Sequence, residues 1–165
     1  MGEMPELRVG SAVDVHAFST EPRPLMLACL ELAPTGGLAG HSDADVIAHA
    51  AADALLIASG IGELGTVFGT GDPRWSGASG QALLNEALRL VSERGWSIAN
   101  LTVQLICQRP RFAPHKEAAE EKMSAILGAP VSISATSTDH LGFLGRAEGA
   151  AALATVLLLR PRENA

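Results

Sequence analysis

The fold is decided largely by residues 7–18, LRVGSAVDVHAF, in which apolar and β-branched residues alternate with smaller or polar ones. This alternation predicts a β-strand near the start of the chain. Asp14 and His16 lie two positions apart in it, so their side chains project from one face while Val15 points the other way. A carboxylate and an imidazole suit zinc, and a third protein ligand would leave one coordination position open. Alone, so short a motif more often means only that the strand ends at His16 and that Asp14 caps a turn.

The segments that follow predict a mixture of helices and strands. A second apolar run, Leu25–Leu32, is expected to pair with the first strand as a hairpin. Ser42–Asp45 is typical of the N-terminal cap of a helix, here continuing to Ala58. Further helices are expected over residues 81–94 and 114–127, and strands over residues 101–107 and 131–135. Residues 147–159 fit either a helix or a strand buried on both faces.

Length and composition favour one globular unit. The chain has 165 residues, of which 47% are hydrophobic and 18% charged. We therefore predict a single α/β domain over residues 1–165, a mixed β-sheet covered by helices. The two cysteines, Cys29 and Cys107, lack metal-site or disulfide spacing and are expected to be buried free thiols.

The charge balance and the terminal sequence exclude several classes of partner. Eighteen acidic residues against 12 basic ones give a net charge of −6, which argues against nucleic acid and against an electrostatic membrane anchor. No secretory signal pattern and no apolar run of about 20 residues is present, so a cytoplasmic location is expected.

A second polar cluster lies on the predicted helix. Asp45, His49 and Asp53 recur at intervals of four residues and would share one helical stripe. His49 is the candidate third metal ligand, with Asp45 or Asp53 orienting its ring; a solvated helix face is an equal alternative. His41 and Ser42 precede the helix, where free N–H groups and the helix dipole favour a phosphate.

A third polar region follows the strand predicted at residues 131–135. Thr136-Ser137-Thr138-Asp139 offers three hydroxyl groups and a carboxylate that can bind a divalent cation, and Arg146 lies nearby in the sequence. Such groups suit a diphosphate. A polar turn with an ordinary surface salt bridge explains them equally well.

Taken in order, the polar blocks resemble the 2-C-methyl-D-erythritol 2,4-cyclodiphosphate synthase family from about Arg8 to Leu159. The blocks are Asp14-Val-His16, His41-Ser-Asp-Ala-Asp-Val-Ile-Ala-His49, Asp53, Asp72-Pro73, Thr136-Ser-Thr-Asp139 and Gly145-Arg-Ala-Glu-Gly149. The resemblance implies a homotrimer whose active sites lie between adjacent subunits. It also implies the conversion of 4-diphosphocytidyl-2-C-methyl-D-erythritol 2-phosphate to 2-C-methyl-D-erythritol 2,4-cyclodiphosphate in the non-mevalonate isoprenoid pathway, with release of CMP.

The resemblance also implies roles for individual residues. Zinc would be bound by Asp14, His16 and His49, and a second divalent ion, magnesium or manganese, would lie near Asp139. His41 and Ser137 align with catalytic positions, and residues 107–113 with a loop that binds cytidine. The implied substrate contacts are Ser42, Asp53, Glu63, Leu64, Gly65, Phe68, Asp72, Arg111, Thr136, Thr138, Phe143 and Arg146.

Several positions depart from the family pattern. Ala12 replaces a usual glycine and Glu63 a usual aspartate, while an acidic run before proline is reduced to Gly71-Asp72. The hydroxyl-rich turn has Ser137 for threonine and Asp139 for glutamate, and His140 follows where lysine is frequent. These changes motivate an alternative function, a non-catalytic, zinc-containing trimer that binds nucleotide. A zinc phosphohydrolase is a second alternative, although no unassigned Glu or His adjoins the three ligands as a general base. Finally, Ala150–Leu159 could line a three-fold axis or belong to the core of one chain.

Overall fold

A four-stranded mixed sheet with helices packed on one face forms the body of the molecule. The computed structural model of the protein describes residues 4–69 and 72–162. The strands are β1 (Glu6–Ala17), β2 (Leu25–Leu27), β3 (Leu30–Ala33), β4 (Ser97–Ile106), β5 (Val131–Thr136) and β6 (Gly149–Arg160). The helices are α1 (Val46–Ser59), α2 (Leu64–Val67), α3 (Gly80–Glu93), α4 (Lys116–Leu127) and α5 (Gly142–Gly145).

The strand order β1-β6-β4-β5 brings three strand ends to one edge of the sheet. Strand β6 is antiparallel to both of its neighbours, β1 and β4, whereas β4 and β5 are parallel. The carboxyl ends of β1, β4 and β5 therefore lie along the same edge. The polar residues of the first and third sequence clusters follow or end these strands, so the topology gathers them on one side of the molecule.

Helix α1 lies between the sheet and α3 and is buried on nearly all sides. Twelve of its 14 residues are buried, including the six alanines from Ala48 to Ala58. At Gly10 of β1, an added Cβ would lie 2.4 Å from the carbonyl oxygen of Ala54. Small residues on both elements thus allow close packing. The alternative of a solvated helix face is wrong.

Replacement of Gly10 by alanine is expected to lower the free energy of unfolding by about 1–3 kcal/mol, because the methyl group would overpack the β1–α1 contact. Urea unfolding measures the loss. Gly65→Ala is the matched control, since a Cβ there has nothing within 4 Å. Equal effects of the two substitutions would contradict the packing argument.

Two predictions about the strands are corrected or refined by the structure. The predicted hairpin between residues 7–18 and 25–32 is wrong: β1 pairs along its whole length with β6, from Glu6↔Arg160 to Ala17↔Gly149. The second run instead folds on itself as the β2–β3 hairpin. The ambiguous final segment is the strand β6, whose helix-facing side is buried while Leu153 on the opposite face is 41% exposed.

The remaining helices and strands lie where the sequence predicts them, with small shifts in where they begin and end. Helix α1 begins at Val46 with Asp45 as its N-cap, and Ala44 has a left-handed backbone, so Ser42 does not cap it. Helix α4 begins at Lys116, after a short 3-10 turn at residues 113–115. Both cysteines are free; Cys107 is buried and Cys29 partly buried. No helix within residues 4–69 and 72–162 has the length and apolar character needed to cross a membrane.

Candidate active site

Three side chains from two elements converge at the carboxyl end of β1. Asp14 and His16 project from the helix-facing side of that strand, and His49 reaches them from the first turn of α1. Oδ2 of Asp14 lies 3.1 Å from Nε2 of His16 and 3.2 Å from Nδ1 of His49, and the two imidazole nitrogens are 3.3 Å apart. The prediction that these three residues share one site is confirmed.

The spacing of these atoms fits a tetrahedral metal ion. Bonds of about 2.0 Å from such an ion place its ligand atoms about 3.3 Å apart, close to the separations observed. One carboxylate and two imidazoles are a donor set used by zinc. Within residues 4–69 and 72–162, this is the one group of three His, Cys, Asp or Glu residues close enough to share an ion.

Neighbouring polar groups orient the two imidazole rings. Nδ1 of His16 lies 2.6 Å from the carbonyl oxygen of Ala39, so it donates a proton and leaves Nε2 free for a metal. Nε2 of His49 lies 3.0 Å from Oγ of Ser42 and 3.8 Å from Oδ1 of Asp43. With Nδ1 of His49 as the ligand atom, these groups fix the ring from its other side.

The prediction that Asp45 or Asp53 orients His49 is wrong. Both carboxylates accept hydrogen bonds from backbone N–H groups instead. Asp45 accepts from N–H groups of the N-terminal turn of α1 and of the β2–β3 turn. Asp53 accepts from the N–H of Leu64 at 2.7 Å. Their spacing of four residues from His49 predicted that all three would share one helical stripe. Asp45, however, is the N-cap residue and lies outside the helix.

Burial and hydrogen bonding have opposing effects on the pKa values of Asp14 and His16. Burial raises the pKa of Asp14, but its hydrogen bonds to His16 and His49 outweigh burial and hold the pKa well below its usual range. The hydrogen bond to Asp14 raises the pKa of His16 against the opposing effect of burial. Without a metal, the pair therefore favours ionised Asp14 and protonated His16.

The stability of the metal-free protein is expected to fall as the pH rises from 6 to 9. A raised pKa means that His16 stabilises the fold fully below its ordinary pKa of 6.5, and loses this contribution as the pH rises through the folded-state pKa. Because the pKa of Asp14 is lowered, this residue stabilises the fold fully above its ordinary pKa of 3.8. The contribution is lost as the pH falls towards the folded-state pKa of Asp14. The stabilising contributions of His16 and Asp14 are therefore both fully present between about pH 4 and 6.5.

Urea unfolding with a chelator measures this dependence at pH 6, 7, 8 and 9. Asp14→Asn removes the group that raises the pKa of His16, so its free energy of unfolding should change less over the same range. If the free energy of unfolding changed equally with pH in the wild-type protein and in Asp14→Asn, the proposed effect of Asp14 on the pKa of His16 would be contradicted.

A cavity of about 230 Å³ opens beside the metal ligands. Eight residues predicted as metal ligands, catalytic residues or substrate contacts line it; they are His16, His41, Ser42, His49, Leu64, Gly65, Phe68 and Asp72. Helix α2 and the turn that follows it contribute Leu64, Gly65, Phe68 and Gly69 to its lining. The structure therefore brings the first predicted cluster into one concave site.

Three further residues line this cavity and were not predicted as site residues: Trp75, Ser76 and Leu83. Trp75 lies in a 3-10 turn and Leu83 in α3. The sequence holds one signal for Trp75, because it is one of two tryptophans and lies in a glycine-rich loop. Leu83 was expected on an apolar helix face and gave no separate signal.

The predicted reason for a phosphate contact at His41 and Ser42 needs correction. Free N–H groups at the start of α1 were expected to attract an anion, but Asp45 accepts hydrogen bonds from Ile47 and Ala48 and occupies this position. A phosphate here would therefore be bound by the side chains of His41 and Ser42. Their position in the cavity is as predicted.

A second cavity, of about 510 Å³, lies at the ends of β4 and β5. It is lined by members of the predicted cytidine loop at residues 107–113, including Arg111, and by Thr136 and Ser137. It shares no lining residue with the first cavity. Within one chain the two halves of the predicted site are separate.

Other predicted contacts lie outside both cavities. Thr138 donates to the carbonyl oxygen of Leu141, Asp139 accepts a hydrogen bond of 3.3 Å from Ser137 of the second cavity, and Arg146 pairs with Glu148 at 2.5 Å. Phe143 is 45% exposed. Their roles, with those of Asp53 and Glu63, stay predictions, and Gly71 lies outside the described residues.

Comparison with known proteins assigns the chain to a family. The sequence pattern of the YgbB family matches residues 7–159. A protein of Cutibacterium acnes named 2-C-methyl-D-erythritol 2,4-cyclodiphosphate synthase is 51% identical over 158 residues, 95% of this chain and 94% of the relative. One of the same name from Acidothermus cellulolyticus is 50% identical, covering 94% and 96%.

Solved structures support the same assignment. A 2C-methyl-D-erythritol-2,4-cyclodiphosphate synthase solved with CDP is 35% identical, with a TM-score of 0.83 over 92% of this chain and 99% of that one. The bifunctional IspDF of Campylobacter jejuni is 36% identical with a TM-score of 0.90; the match covers 95% of this chain but 43% of that larger protein. The residues that form the fold and the metal-ligand cluster thus lie within a full-length match, and the chain belongs to the YgbB family.

Proposed function

We propose that the chain converts 4-diphosphocytidyl-2-C-methyl-D-erythritol 2-phosphate to 2-C-methyl-D-erythritol 2,4-cyclodiphosphate with release of CMP, as a lyase of the non-mevalonate isoprenoid pathway. The observation that carries the proposal is the cluster of Asp14, His16 and His49, whose two histidines line a cavity together with His41 and Ser42. The names of relatives at 50–51% identity support it.

In this reaction an oxygen of the 2-phosphate forms a bond to the β-phosphorus of the diphosphate. The bond between that phosphorus and the bridging oxygen breaks, and CMP leaves with the bridging oxygen and its electron pair. Both reacting groups are anionic, so the main tasks of the protein are to neutralise charge and to hold the two phosphates in line. No nucleophilic side chain is needed.

The residues of the chain can be assigned to these tasks. A zinc ion bound by Asp14, His16 and His49 would polarise a phosphate oxygen, and magnesium or manganese near Asp139 would neutralise the diphosphate. His41 and Ser42, which line the first cavity, would hydrogen-bond the phosphate of the methylerythritol end. Arg111 adds positive charge at the nucleotide end, where Thr136 and Ser137 offer hydroxyl donors.

We propose a homotrimer with shared active sites, and two features support it. The substrate joins its two ends through a diphosphate, whereas the two cavities of one chain have no lining residue in common. The face of the sheet opposite the helices exposes five large apolar side chains, each 41–67% exposed, which are Leu7, Val9, Val13, Val15 and Leu153. A neighbouring copy would cover this face and complete the site.

Light scattering is expected to give the mass of three chains. Val9→Glu, which places a charge on the exposed face of the sheet, is expected to dissociate the assembly and to reduce activity with it. Ile57→Glu is the matched control, since Ile57 is exposed on α1, away from that face. A monomeric wild-type protein that is fully active would contradict the shared site.

Release of CMP from the diphosphocytidyl substrate, measured with zinc and magnesium present, tests the proposed activity. His41→Ala removes a side chain from the cavity wall without removing a metal ligand, and is the reference for background release. The proposal fails if the wild-type rate does not exceed the rate of this variant.

A further inference from the structure

The backbone segment that carries His41 accepts hydrogen bonds through three consecutive carbonyl oxygens. The carbonyl oxygen of Gly40 accepts one of 3.1 Å from Nη1 of Arg23, and that of Ser42 accepts one of 2.6 Å from Nη2 of the same guanidinium. Between them, the carbonyl oxygen of His41 accepts from the N–H of Gly77 at 2.9 Å. One arginine therefore bonds to the backbone on both sides of a residue whose side chain lines the cavity.

A guanidinium group is well suited to bond two carbonyl oxygens at once. It is planar and presents its N–H donors in a fixed fork, so neighbouring donors can bond to two acceptors in one geometry. Hydrogen bonds from a charged donor are also stronger than those between neutral groups. Within residues 4–69 and 72–162, Arg23 forms no ion pair with a carboxylate. Its donors are thus used on this backbone segment.

The backbone at Arg23 is itself held by a close contact. The carbonyl oxygen of Arg23 accepts a hydrogen bond of 3.0 Å from the N–H of Gly37. A Cβ added at Gly37 would lie 2.0 Å from the carbonyl oxygen of Pro24, so only glycine allows the two segments to approach this closely. The side chain of Arg23 therefore extends towards the segment of His41 from a fixed backbone position.

The segment that Arg23 bonds also lies against two metal-ligand side chains. A Cβ added at Gly40 would lie 3.0 Å from Cε1 of His16, so the backbone there is in contact with that ring. The hydroxyl oxygen of Ser42 lies 3.0 Å from Nε2 of His49. The two bonds from Arg23 thus fix the backbone of the two residues that contact these imidazoles.

We propose that Arg23 is a positioning residue, which holds His41 and Ser42 at the cavity through the carbonyl oxygens of Gly40 and Ser42. This inference rests on the proposed function, in which these two side chains contact a phosphate. Arg23 does not itself line the cavity, so its effect on the reaction is exerted through the segment that it bonds. Without its two bonds, this segment keeps fewer fixed points and its side chains occupy a wider range of positions.

Arg23→Ala is expected to lower kcat/KM by about a hundredfold, the loss that follows when catalytic groups are displaced by about 1 Å. Most of the loss should appear in kcat, because His41 and Ser42 act on the reacting phosphates. The metal content should equal that of the wild-type protein, since no ligand is changed. Arg94→Ala is the matched control: Nη1 of Arg94 also donates to a backbone carbonyl, that of Gly60 at the end of α1, and its kcat/KM should be close to that of the wild-type protein.

Added guanidinium ion separates positioning from folding. Arg23 is partly exposed, so its truncation leaves a space, open to water, in which the ion can bond to the two carbonyl oxygens. Guanidinium chloride, at concentrations far below those that unfold proteins, should restore part of the kcat of Arg23→Ala. Ammonium chloride at the same concentration is the control, because ammonium has the charge without the planar fork. Equal effects of the two salts would overturn the proposed role.

Amide hydrogen exchange measures the positioning without reference to activity. The N–H of Gly77 bonds to the carbonyl oxygen of His41, and the N–H of Asp43 bonds to that of Ala78 at 3.2 Å. In Arg23→Ala both amides should exchange about tenfold faster or more, since the segment has lost two hydrogen bonds. The N–H of Leu101, which bonds to Pro130, is the internal control and should exchange at the wild-type rate.

The outcomes separate this inference from the proposed function. If the wild-type protein is active and Arg23→Ala keeps its full kcat, the positioning role is overturned while the synthase activity stands. If the wild-type protein forms no cyclic product, the proposed function fails and hydrogen exchange decides the inference. Faster exchange at Gly77 and Asp43 that guanidinium ion reverses then supports positioning by Arg23, and unchanged exchange overturns it.

Discussion

Replacement of His49 by alanine is expected to abolish binding of the proposed zinc ion and to lower kcat by about a thousandfold or more, which corresponds to about 4 kcal/mol of transition-state stabilisation. His49 is the one ligand that comes from α1, and its Nδ1 lies within 3.3 Å of both other ligand atoms. Without it, two ligands from β1 remain, and both are partly exposed to water. Neutralisation of the reacting phosphates is then lost together with the metal.

Elemental analysis of the purified variant measures the metal content, and CMP release measures the rate. His115→Ala is the matched control, because His115 precedes α4 and lies outside the metal-ligand cluster; it should retain one zinc per chain. A His49→Ala protein that keeps both its zinc and its rate would show that the ion is bound elsewhere.

Replacement of Asp45 by alanine is expected to lower the free energy of unfolding by about 4 kcal/mol or more. The carboxylate is fully buried and accepts four backbone hydrogen bonds of 2.6–3.1 Å, from Ala28, Cys29, Ile47 and Ala48. Alanine would leave these buried donors without an acceptor and would also remove the N-cap of α1.

The same substitution releases a strained turn. Ala28 and Cys29 both have left-handed backbones, with φ of 55° and 61°, which non-glycine residues rarely adopt. The bonds from their N–H groups to Asp45 help to hold this conformation. Loss of Asp45 therefore weakens the link between the β2–β3 hairpin and the helix that carries His49.

Urea unfolding in the presence of a chelator isolates this effect from metal binding. Ser79→Ala is the comparison, since Ser79 caps α3 at the surface through one hydrogen bond to Ala82; its loss should cost about 1 kcal/mol. If Asp45→Ala lowers the free energy of unfolding no more than Ser79→Ala does, the four hydrogen bonds to Asp45 do not have the stabilising role proposed for them.

The metal-ligand cluster was predictable because it depends on local periodicity. Alternation along β1 places Asp14 and His16 on one face and Val15 on the other, and the structure confirms this arrangement. The resemblance of the polar blocks to a known family then made His49 the third ligand. The spacing of Asp45, His49 and Asp53 alone left a solvated helix face equally open.

Other features depend on contacts that no local pattern specifies. The pairing of β1 with β6 joins residues more than 130 positions apart, whereas sequence patterns favour pairing between neighbouring strands. Asp45 matched a helical stripe, but its backbone is extended and its side chain bonds to a distant turn. Phe68, Trp75 and Leu83 line one cavity although they lie up to 15 positions apart in the sequence.

Phosphorus NMR of the reaction products tests the central claim most directly. Metal-stripped protein is mixed with the diphosphocytidyl substrate and magnesium, and zinc is then added up to one equivalent per chain. The proposed site at Asp14, His16 and His49 predicts that a cyclic diphosphate and CMP form in proportion to the zinc added. Linear phosphates in place of the cyclic product, or a rate that does not depend on zinc, would contradict it.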